Sequence, residues 1–286
     1  MKKVLIIGSR GFIGTYVTSE FHNIGTYEVY EGYKEKINIL EFRSFQNSFE
    51  TIKPDIVINL AAFSHLDHAS LKTIFDFNTN SVIKILDYLV DIGFQGKFIN
   101  TSSALVYGSK TPKIIKEDLD LNPEYSYAIA KAAIDYLIPY LEDKINFISC
   151  RPFNCIGVGH REDYVVPKIV QHFAAKKKEI ELGNYKSRRD FVDVRDVGKM
   201  FFKIADSDEN YSAYNLCSGK TTSILEIIKI LEDISGNKLK IVVKDDLLRN
   251  LDHTDFHGNN NRIKELGFEY QYTIKDTLNW MLSYKI

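Results

Sequence analysis

Short apolar runs alternate with segments of helical periodicity through the first half of the chain, as in a parallel sheet whose strands are joined by crossover helices. The predicted strands cover residues 4–7, 28–31, 56–60, 97–101 and 146–150. Between the first two, Ile13, Val17 and Phe21 recur every fourth residue, which predicts a helix. A single run could be a buried helix segment, but five runs in alternation favour a doubly wound, Rossmann-type α/β sheet.

The second half is less regular and predicts a smaller α/β subdomain. Helical spacing returns over residues 224–231, where Gly236 ends the pattern, and again over residues 274–281. We expect one domain over residues 1–160, to which the segment at about 190–216 returns, and a subdomain over residues 161–286.

Composition and charge exclude several classes of function. The chain has 286 residues, of which 44% are hydrophobic and 26% charged, as in globular proteins. Its 37 basic and 38 acidic residues give a net charge of −1, which provides no attraction to nucleic acid or anionic membranes. Three cysteines without a C-x-x-C pair fit a reducing compartment. The apolar run before Gly8 is too short for a signal peptide. We expect a cytoplasmic protein without a membrane partner.

Gly8, Gly11 and Gly14 stand between the first predicted strand and the first predicted helix. A dinucleotide fold needs small residues there, for a tight turn and for close approach to a pyrophosphate at the helix N-terminus. The spacing is G-x-x-G-x-x-G rather than G-x-G-x-x-G, so a plain turn would also explain it. Arg10, inside the turn, is placed to meet a phosphate on the adenosine ribose, whereas residues 31–36 mix acids and bases. NADP(H) is therefore favoured, and NAD(H) stays open.

Tyr127 and Lys131 lie one helical turn apart, so a helix presents both on one face. A neighbouring ammonium lowers the pKa of a tyrosine and prepares it for proton transfer. The spacing alone is weak, because the chain contains four Tyr-x-x-x-Lys matches. Ser103 follows the fourth predicted strand, at the edge where parallel sheets bind ligands, and could hold a reacting oxygen there. Separately, Ser103 could be a cap and Tyr127 a core residue.

Taken in order, these motifs resemble the extended short-chain dehydrogenase/reductases of the NAD-dependent epimerase/dehydratase family, and among them the enzymes that modify nucleotide sugars. The resemblance runs nearly end to end and rests on these segments: the glycine turn, Asn-Leu-Ala-Ala at 59–62, Asn78 opening a helix, Ser-Ser-Ala-Leu-Val-Tyr-Gly at 102–108, Tyr127 with Lys131, Arg-Pro-Phe-Asn at 151–154, residues 189–197 and residues 215–219.

The resemblance implies that Tyr127 is the acid/base, that Lys131 holds the nicotinamide ribose and tunes the tyrosine, and that Ser103 bonds the reacting oxygen. The implied cofactor-binding residues are Gly8, Arg10, Gly11, Phe12, Ile13, Gly14, Leu60, Ala61, Ala62, Asn78, Tyr127 and Lys131. The implied substrate-binding residues are Ser103, Asn154, Arg189 and Arg249. Residues 1–160 would then bind NAD(P) and residues 161–286 the nucleotide sugar. One departure is Asn38, where many relatives carry an adenine-binding Asp.

The residues after Ser103 narrow the reaction. Related 4,6-dehydratases carry an Asp-Glu pair there, and reductases that also epimerise C3 and C5 use a Cys and a His; this chain has Ala104 and Leu105. Cys155 and His160 are out of register and are interpreted as structural. The resemblance is then greatest to reductases of nucleotide-linked 4-keto-6-deoxy sugars, of the GDP-4-keto-6-deoxymannose reductase type, in deoxysugar biosynthesis for surface polysaccharide. Such enzymes form homodimers through the helix of Tyr127 and that of Ile83.

Two alternatives stay open. A nucleotide-sugar 4-epimerase would use the same Ser103, Tyr127 and Lys131 with a retained NAD. A non-catalytic nucleotide-binding module on the same fold is the other alternative, although such proteins commonly lose the tyrosine or lysine. His65, His68 and the stretch from Asp252 to His257 contain metal-ligand side chains without a convincing spacing, so we predict no metal.

Overall fold

The computed structural model describes residues 1–64, 69–109, 111–208, 211–244 and 256–284. Its strands are β1 (Lys2–Ile7), β2 (Tyr27–Glu31), β3 (Ile56–Asn59), β4 (Lys97–Thr101), β5 (Ile114–Ile115), β6 (Asn146–Pro152), β7 (Asn154–Ile156), β8 (Glu179–Leu182), β9 (Arg188–Arg189), β10 (Phe191–Asp193), β11 (Ala213–Leu216), β12 (Thr222–Ser223), β13 (Lys240–Val243) and β14 (His257–Gly258). Its α-helices are α1 (Phe12–Ile24), α2 (Phe42–Ile52), α3 (Leu71–Phe75), α4 (Ser81–Asp91), α5 (Ser126–Asp135), α6 (Ile138–Leu141), α7 (Val165–Ala174), α8 (Val194–Asp206), α9 (Ile224–Ser235), α10 (Asn261–Glu265) and α11 (Ile274–Ser283).

A parallel sheet of six strands forms the centre of the fold, in the order β11-β6-β4-β3-β1-β2. All five predicted strands are present within two residues of their expected bounds, and the predicted α/β class is confirmed. The sixth strand, β11, lies in the segment predicted to return to the sheet and pairs with β6. The limits of the two domains stay a prediction.

The strand order reverses between β1 and β3, because β2 lies on the other side of β1. In open α/β sheets the ligand crevice opens at such a reversal, outside the carboxyl ends of the strands. After β2 the chain forms turns instead of a further strand. This segment carries Lys34, Glu35 and Lys36, and Lys36 adopts a left-handed φ of 55°. Charged residues and a left-handed turn do not suit a buried strand.

Alternate residues of β1 supply the cores on the two faces of the sheet. Val4 and Ile6 pack with α1 and α8, whereas Leu5 and Ile7 pack with α2 and α4. All four side chains are essentially buried. A large apolar side chain stabilises the fold by about 1.5–3 kcal/mol when it is fully buried. Burial on both faces explains why β1 reads as a continuous apolar run.

A separate apolar core in the second half of the chain includes side chains of α7, α9 and α11 with β8. The predicted helix at 224–231 is α9, which begins with a capping box of Ser223 and Glu226 and ends at Gly236 with φ 70°. A second capping box, of Thr273 and Asp276, begins α11. Pro139 lies in the first turn of the short helix α6, and α5 ends before it. Within the described part of the chain, no helix is long and apolar enough to span a bilayer.

Candidate active site

The turn between β1 and α1 is too tight for side chains. Gly8 has φ 79°, and a Cβ there would lie 2.6 Å from the backbone nitrogen of Ala61. A Cβ at Gly14 would lie 2.0 Å from the carbonyl oxygen of Gly8. Gly11 is the N-cap of α1, so no side chain bonds the first amides of the helix, and its first turn contains no acid. These free amides and the positive end of the helix suit a pyrophosphate.

Arg10 is exposed beside this turn, and its guanidinium lies 4.2 Å from the ring centroid of Tyr33. The loop after β3 lies against the other side of the turn, where Leu60 and Ala61 meet Gly8 and Ala62 is exposed. These residues fit a nicotinamide dinucleotide: the amides of α1 would hold its diphosphate, and Arg10 would offer a cation to its adenosine end. Tyr33 was missed at the sequence level, although it lies in the expected ribose region.

The sequence suggested that Asn78 opens a helix, but in the structure it lies inside a helical segment. The helical segment starts earlier, at Leu71, because the Ser70 side chain accepts a hydrogen bond from the amide of Thr73. Asn78 lies in a π-helical turn (Asp76–Asn80) and is fully buried. Its Oδ1 accepts from the Phe63 amide at 3.1 Å, and its Nδ2 donates to the Phe63 carbonyl at 3.0 Å. Asn78 thus anchors the loop that meets the glycine turn.

Tyr127 and Lys131 lie on α5, and Lys131 contacts the carboxyl end of β4. The ammonium of Lys131 lies 6.0 Å from the ring centroid of Tyr127 and donates to the carbonyl of Thr101 at 2.7 Å. Ser103, two residues beyond Thr101, caps a 3₁₀ helix (Ala104–Tyr107), since its Oγ accepts from the amide of Leu105 at 3.2 Å. The serine hydroxyl keeps its own hydrogen for an oxygen ligand.

Burial shifts the pKa values of Tyr127 and Lys131 in opposite directions, because it disfavours the charged form of each side chain. Burial raises the pKa of Tyr127, and the nearby Tyr164 and Cys155 add to this effect, so the phenol is protonated at neutral pH. Burial lowers the pKa of Lys131 to about 8, while the carboxylate of Asp135 opposes that change. In this state the pair holds a phenol that can donate a proton, beside an ammonium that is close to titration.

Asn154 begins β7, which pairs with β10, and Arg189 ends β9, two residues before β10. The backbone nitrogen and Nδ2 of Asn154 both donate to the carbonyl of Asp190, at 3.1 and 3.0 Å. Burial raises the pKa of Tyr125, the residue before α5, and the Arg189 guanidinium opposes this. Arg189 therefore lies near the start of the helix of Tyr127. Arg249 lies outside the described residues.

Comparison with known proteins agrees with this geometry. The model of the "NAD dependent epimerase/dehydratase family" matches residues 4–217. The chain belongs to this family. GDP-6-deoxy-D-talose 4-dehydrogenase of Aggregatibacter actinomycetemcomitans is 27% identical over 95% of this chain and 93% of its own. GDP-6-deoxy-D-mannose reductase of Pseudomonas aeruginosa is 28% identical over 99% of this chain and 96% of its own.

A solved structure extends the likeness to three dimensions. RMD from Pseudomonas aeruginosa, complexed with NADPH, has a TM-score of 0.88 and 27% identity, over 99% of this chain and 98% of that chain. The protein is accordingly an NAD(P)-dependent oxidoreductase of the family's nucleotide-sugar reductases, dehydrogenases and epimerases.

Sequence reasoning missed the carboxylate of Asp190. It is buried and accepts hydrogen bonds from Ser218 Oγ at 2.7 Å and from the amides of Ser218, Gly219 and Gly258. Asp190 thereby joins the family segment at 215–219 to Asn154. The sequence contained a signal for Asp190, which directly follows Arg189 in the family segment at 189–197. Its hydrogen-bond partners, however, are distant in sequence.

An aromatic column also went unnoticed in the sequence. The His160 ring stacks on Phe12 of the glycine turn, with centroids 4.4 Å apart, and meets Tyr164 at 4.3 Å. Burial lowers the pKa of His160 to about 4 and raises the pKa of the Cys155 thiol to about 12. Both side chains are therefore uncharged at neutral pH, as packing residues would be. Ile13, next to Phe12, packs against the core beside α8.

Within the described ranges, no group of three His, Cys, Asp or Glu side chains could hold a metal ion. His65, His68, Asp252, His253 and Asp255 lie outside those ranges.

Proposed function

We propose that the protein reduces the C4 ketone of a nucleotide-linked 4-keto-6-deoxy sugar, with hydride from a nicotinamide cofactor. The observation that carries this proposal is the near full-length match to two relatives whose names specify GDP-6-deoxy-D-talose and GDP-6-deoxy-D-mannose. These sugars are epimers at C4, so oxidation at C4 converts both into the same 4-keto sugar. Ala104 and Leu105, which lack acidic groups and thiols, favour simple C4 reduction over dehydration.

Tyr127 is the proton donor in this proposal. The bound reduced nicotinamide supplies the hydride that reaches C4. Tyr127 gives its proton to O4, where negative charge develops, and Ser103 donates a hydrogen bond to the same oxygen. The raised pKa of Tyr127 supports the donor role, because the phenol enters the reaction protonated. Lys131 stabilises the phenolate that results and, by the family resemblance, holds the nicotinamide ribose.

NADP(H) is the preferred cofactor in this proposal, and NAD(H) is the second choice. Arg10 lies over the ring of Tyr33, a placement that leaves a cation at the adenosine end of the crevice. A ribose 2′-phosphate is an anion that arginine binds well. The structure of RMD with NADPH supports the same choice.

The family resemblance assigns the nucleotide sugar to Asn154, Arg189 and Arg249, of which the last two belong to the proposed subdomain of residues 161–286. We also propose a homodimer through α4 and α5. Leu86 of α4 is buried inside the protomer, whereas Ile129 of α5 and Tyr136, the residue that follows α5, are 44% and 59% exposed. Such exposed apolar side chains on α5 would be covered by a second copy.

Incubation with NADPH and a panel of GDP-, dTDP-, CDP- and UDP-linked 4-keto-6-deoxy sugars tests the proposal through the loss of absorbance at 340 nm. We expect stoichiometric oxidation with one sugar, and NMR of the product assigns C4. Tyr127→Phe should lower kcat by about 10²–10⁴-fold without changing NADPH affinity. Unchanged turnover in this variant would contradict the mechanism.

Two other outcomes identify the alternatives. An epimerase would purify with tightly bound nicotinamide and interconvert C4 epimers without added cofactor. A non-catalytic module would bind NADPH and leave every sugar of the panel unchanged.

A further inference from the structure

Asp135 is a buried carboxylate that the proposed reaction does not use. It lies at the end of α5, one helical turn after Lys131, and is 3% exposed. Its two oxygens accept hydrogen bonds from Ser102 Oγ at 2.9 Å, Ser149 Oγ at 2.6 Å and Arg151 Nε at 2.8 Å. A buried carboxylate with three donors is a rigid junction, because each bond would be lost if the elements moved apart.

The junction connects the two elements that carry the reacting groups. Lys131 binds the carbonyl of Thr101, and Asp135 binds the hydroxyl of Ser102. Thr101 and Ser102 directly precede Ser103. The helix of Tyr127 is therefore attached twice, at consecutive residues, to the strand end that presents the serine.

The same junction includes Arg151 and Tyr107, two residues of family segments to which the proposed reaction gives no role. Arg151 turns its other arm to the hydroxyl of Tyr107 at 2.8 Å and to the carbonyl of Glu117 at 2.9 Å. The hydroxyl of Tyr107 donates to Oδ1 of Asn215 at 2.7 Å. The buried guanidinium thus has a charge partner in Asp135 and links it to the segment at 215–219.

We propose that Asp135 is a positioning residue for the proposed reaction: it fixes Tyr127 and Lys131 on α5 against Ser103 at the end of β4. This inference rests on the proposed function. It assigns to Asp135 both the relative placement of the three groups and a negative charge one turn from the ammonium of Lys131.

Two serine variants form a matched test of placement. Ser102→Ala and Ser149→Ala each remove one hydroxyl donor from the same carboxylate, and both serines are buried. Only Ser102 adjoins the residue that contacts the substrate. Ser102→Ala should lower kcat at least about tenfold, since small displacements of reacting groups slow catalysis strongly. Ser149→Ala should stay within about twofold of the wild type, with a similar loss of Tm. Equal kcat losses in the two variants would overturn the placement role.

The pH profile tests the charge. Asp135 faces the charged or titratable groups of Lys131 on α5, Arg151 and Cys150 on β6, and lies near Tyr107. Lys131 has a pKa of about 8, whereas burial raises that of Tyr127, so the alkaline limb of kcat/KM belongs to Lys131. Asp135→Asn removes the charge that favours the ammonium, and the limb should move to lower pH by about one unit. Asp135→Glu should restore the wild-type limb.

An alkaline limb that stays in place in a folded Asp135→Asn variant would overturn the electrostatic role. If that variant fails to fold, the serine pair still decides the placement role. If the wild type reduces no keto sugar, the proposed function fails, and the pH dependence of NADPH binding, followed by fluorescence, takes the place of turnover. Affinity should then fall above about pH 8 in the wild type and about one unit lower in Asp135→Asn. Identical binding curves would refute the inference independently of the sugar chemistry.

Discussion

Lys131→Met should stabilise the protein at neutral pH while it removes the ammonium that the proposed chemistry needs. The Lys131 side chain is 1% exposed, and its ammonium donates to the carbonyl of Thr101. Burial lowers its pKa from 10.5 to about 8, so folding at pH 7 places a poorly solvated charge in the interior. Methionine keeps the apolar stem and removes that charge.

The pKa change sets the size of the effect. The difference between 10.5 and about 8 corresponds, at about 1.4 kcal/mol for each pH unit, to about 3 kcal/mol of destabilisation at pH 7. Loss of the hydrogen bond to the Thr101 carbonyl costs about 1 kcal/mol. The net gain is about 2 kcal/mol in the free energy of unfolding, or about 4 °C in Tm for a chain of this size.

The sign of the pH dependence follows from proton linkage. Between pH 8 and 10.5 the unfolded chain holds a proton on Lys131 that the folded protein has released, so the wild type becomes relatively more stable as the pH rises. The advantage of methionine should be complete below pH 8 and should vanish as the pH approaches 10.5.

Thermal unfolding followed by circular dichroism at pH 7 and pH 10 measures both effects. Lys97→Met is the matched control, because the ammonium of Lys97 donates to the carbonyls of Ala205 and Ser207 at the end of α8. Burial also lowers the pKa of Lys97, so removing its charge recovers some stability, but two carbonyls rather than one lose their partner, and that variant should lose stability. A lower Tm for Lys131→Met at pH 7, or a gain that persists at pH 10, would refute the reasoning.

Three further variants test the cofactor crevice. Gly14→Ala should lower NADPH affinity at least about tenfold in a fluorescence titration, since its Cβ would lie 2.0 Å from the Gly8 carbonyl oxygen. Gly11→Ala is the control and should have a smaller effect, because its Cβ would lie 3.2 Å from the same oxygen. Equal losses of affinity in the two variants would contradict this prediction. Arg10→Ala should lower kcat/KM for NADPH about 10–100-fold relative to NADH, and an equal loss with both cofactors would exclude 2′-phosphate binding. Asn78→Ala should lower the free energy of unfolding in urea by about 2 kcal/mol, because the Phe63 loop loses its anchor; unchanged stability with lost NADPH binding would instead indicate direct cofactor contact.

Local patterns were sufficient to predict the sheet and the main helices. Val4 to Ile7 form a strand buried on both faces, and such a strand reads as an apolar run without knowledge of its neighbours. The same holds for α9, whose start at Ser223 and end at Gly236 are signalled by cap residues. The spatial order of the strands depends on contacts between distant segments and was not predicted.

The candidate site was predicted in its residue types but not in its supporting contacts. Tyr127 and Lys131 share a helix, so their spacing alone predicts a common face. Asp135, in contrast, binds Ser102 across 33 positions, and Tyr107 binds Asn215 across 108. The family resemblance implies that Asn78 binds the cofactor, which stays a prediction, and it gave no sign that the Asn78 amide binds the backbone of Phe63. Hydrogen bonds of this kind have no periodicity that a sequence could display.

In the proposed mechanism, the protonation of Tyr127 explains why Ser103, Tyr127 and Lys131 alone do not separate a reductase from an epimerase. A protonated phenol suits ketone reduction directly, because the first demand on it is to donate. An epimerase needs the phenolate first, and a positively charged oxidised nicotinamide beside the ring is the additional charge that would favour it. The same Ser103, Tyr127 and Lys131 therefore serve either reaction, depending on which form of the cofactor the crevice retains. On this proposal, cofactor contacts at Arg10 and the glycine turn would determine the direction of the chemistry more than the three proposed reacting side chains do.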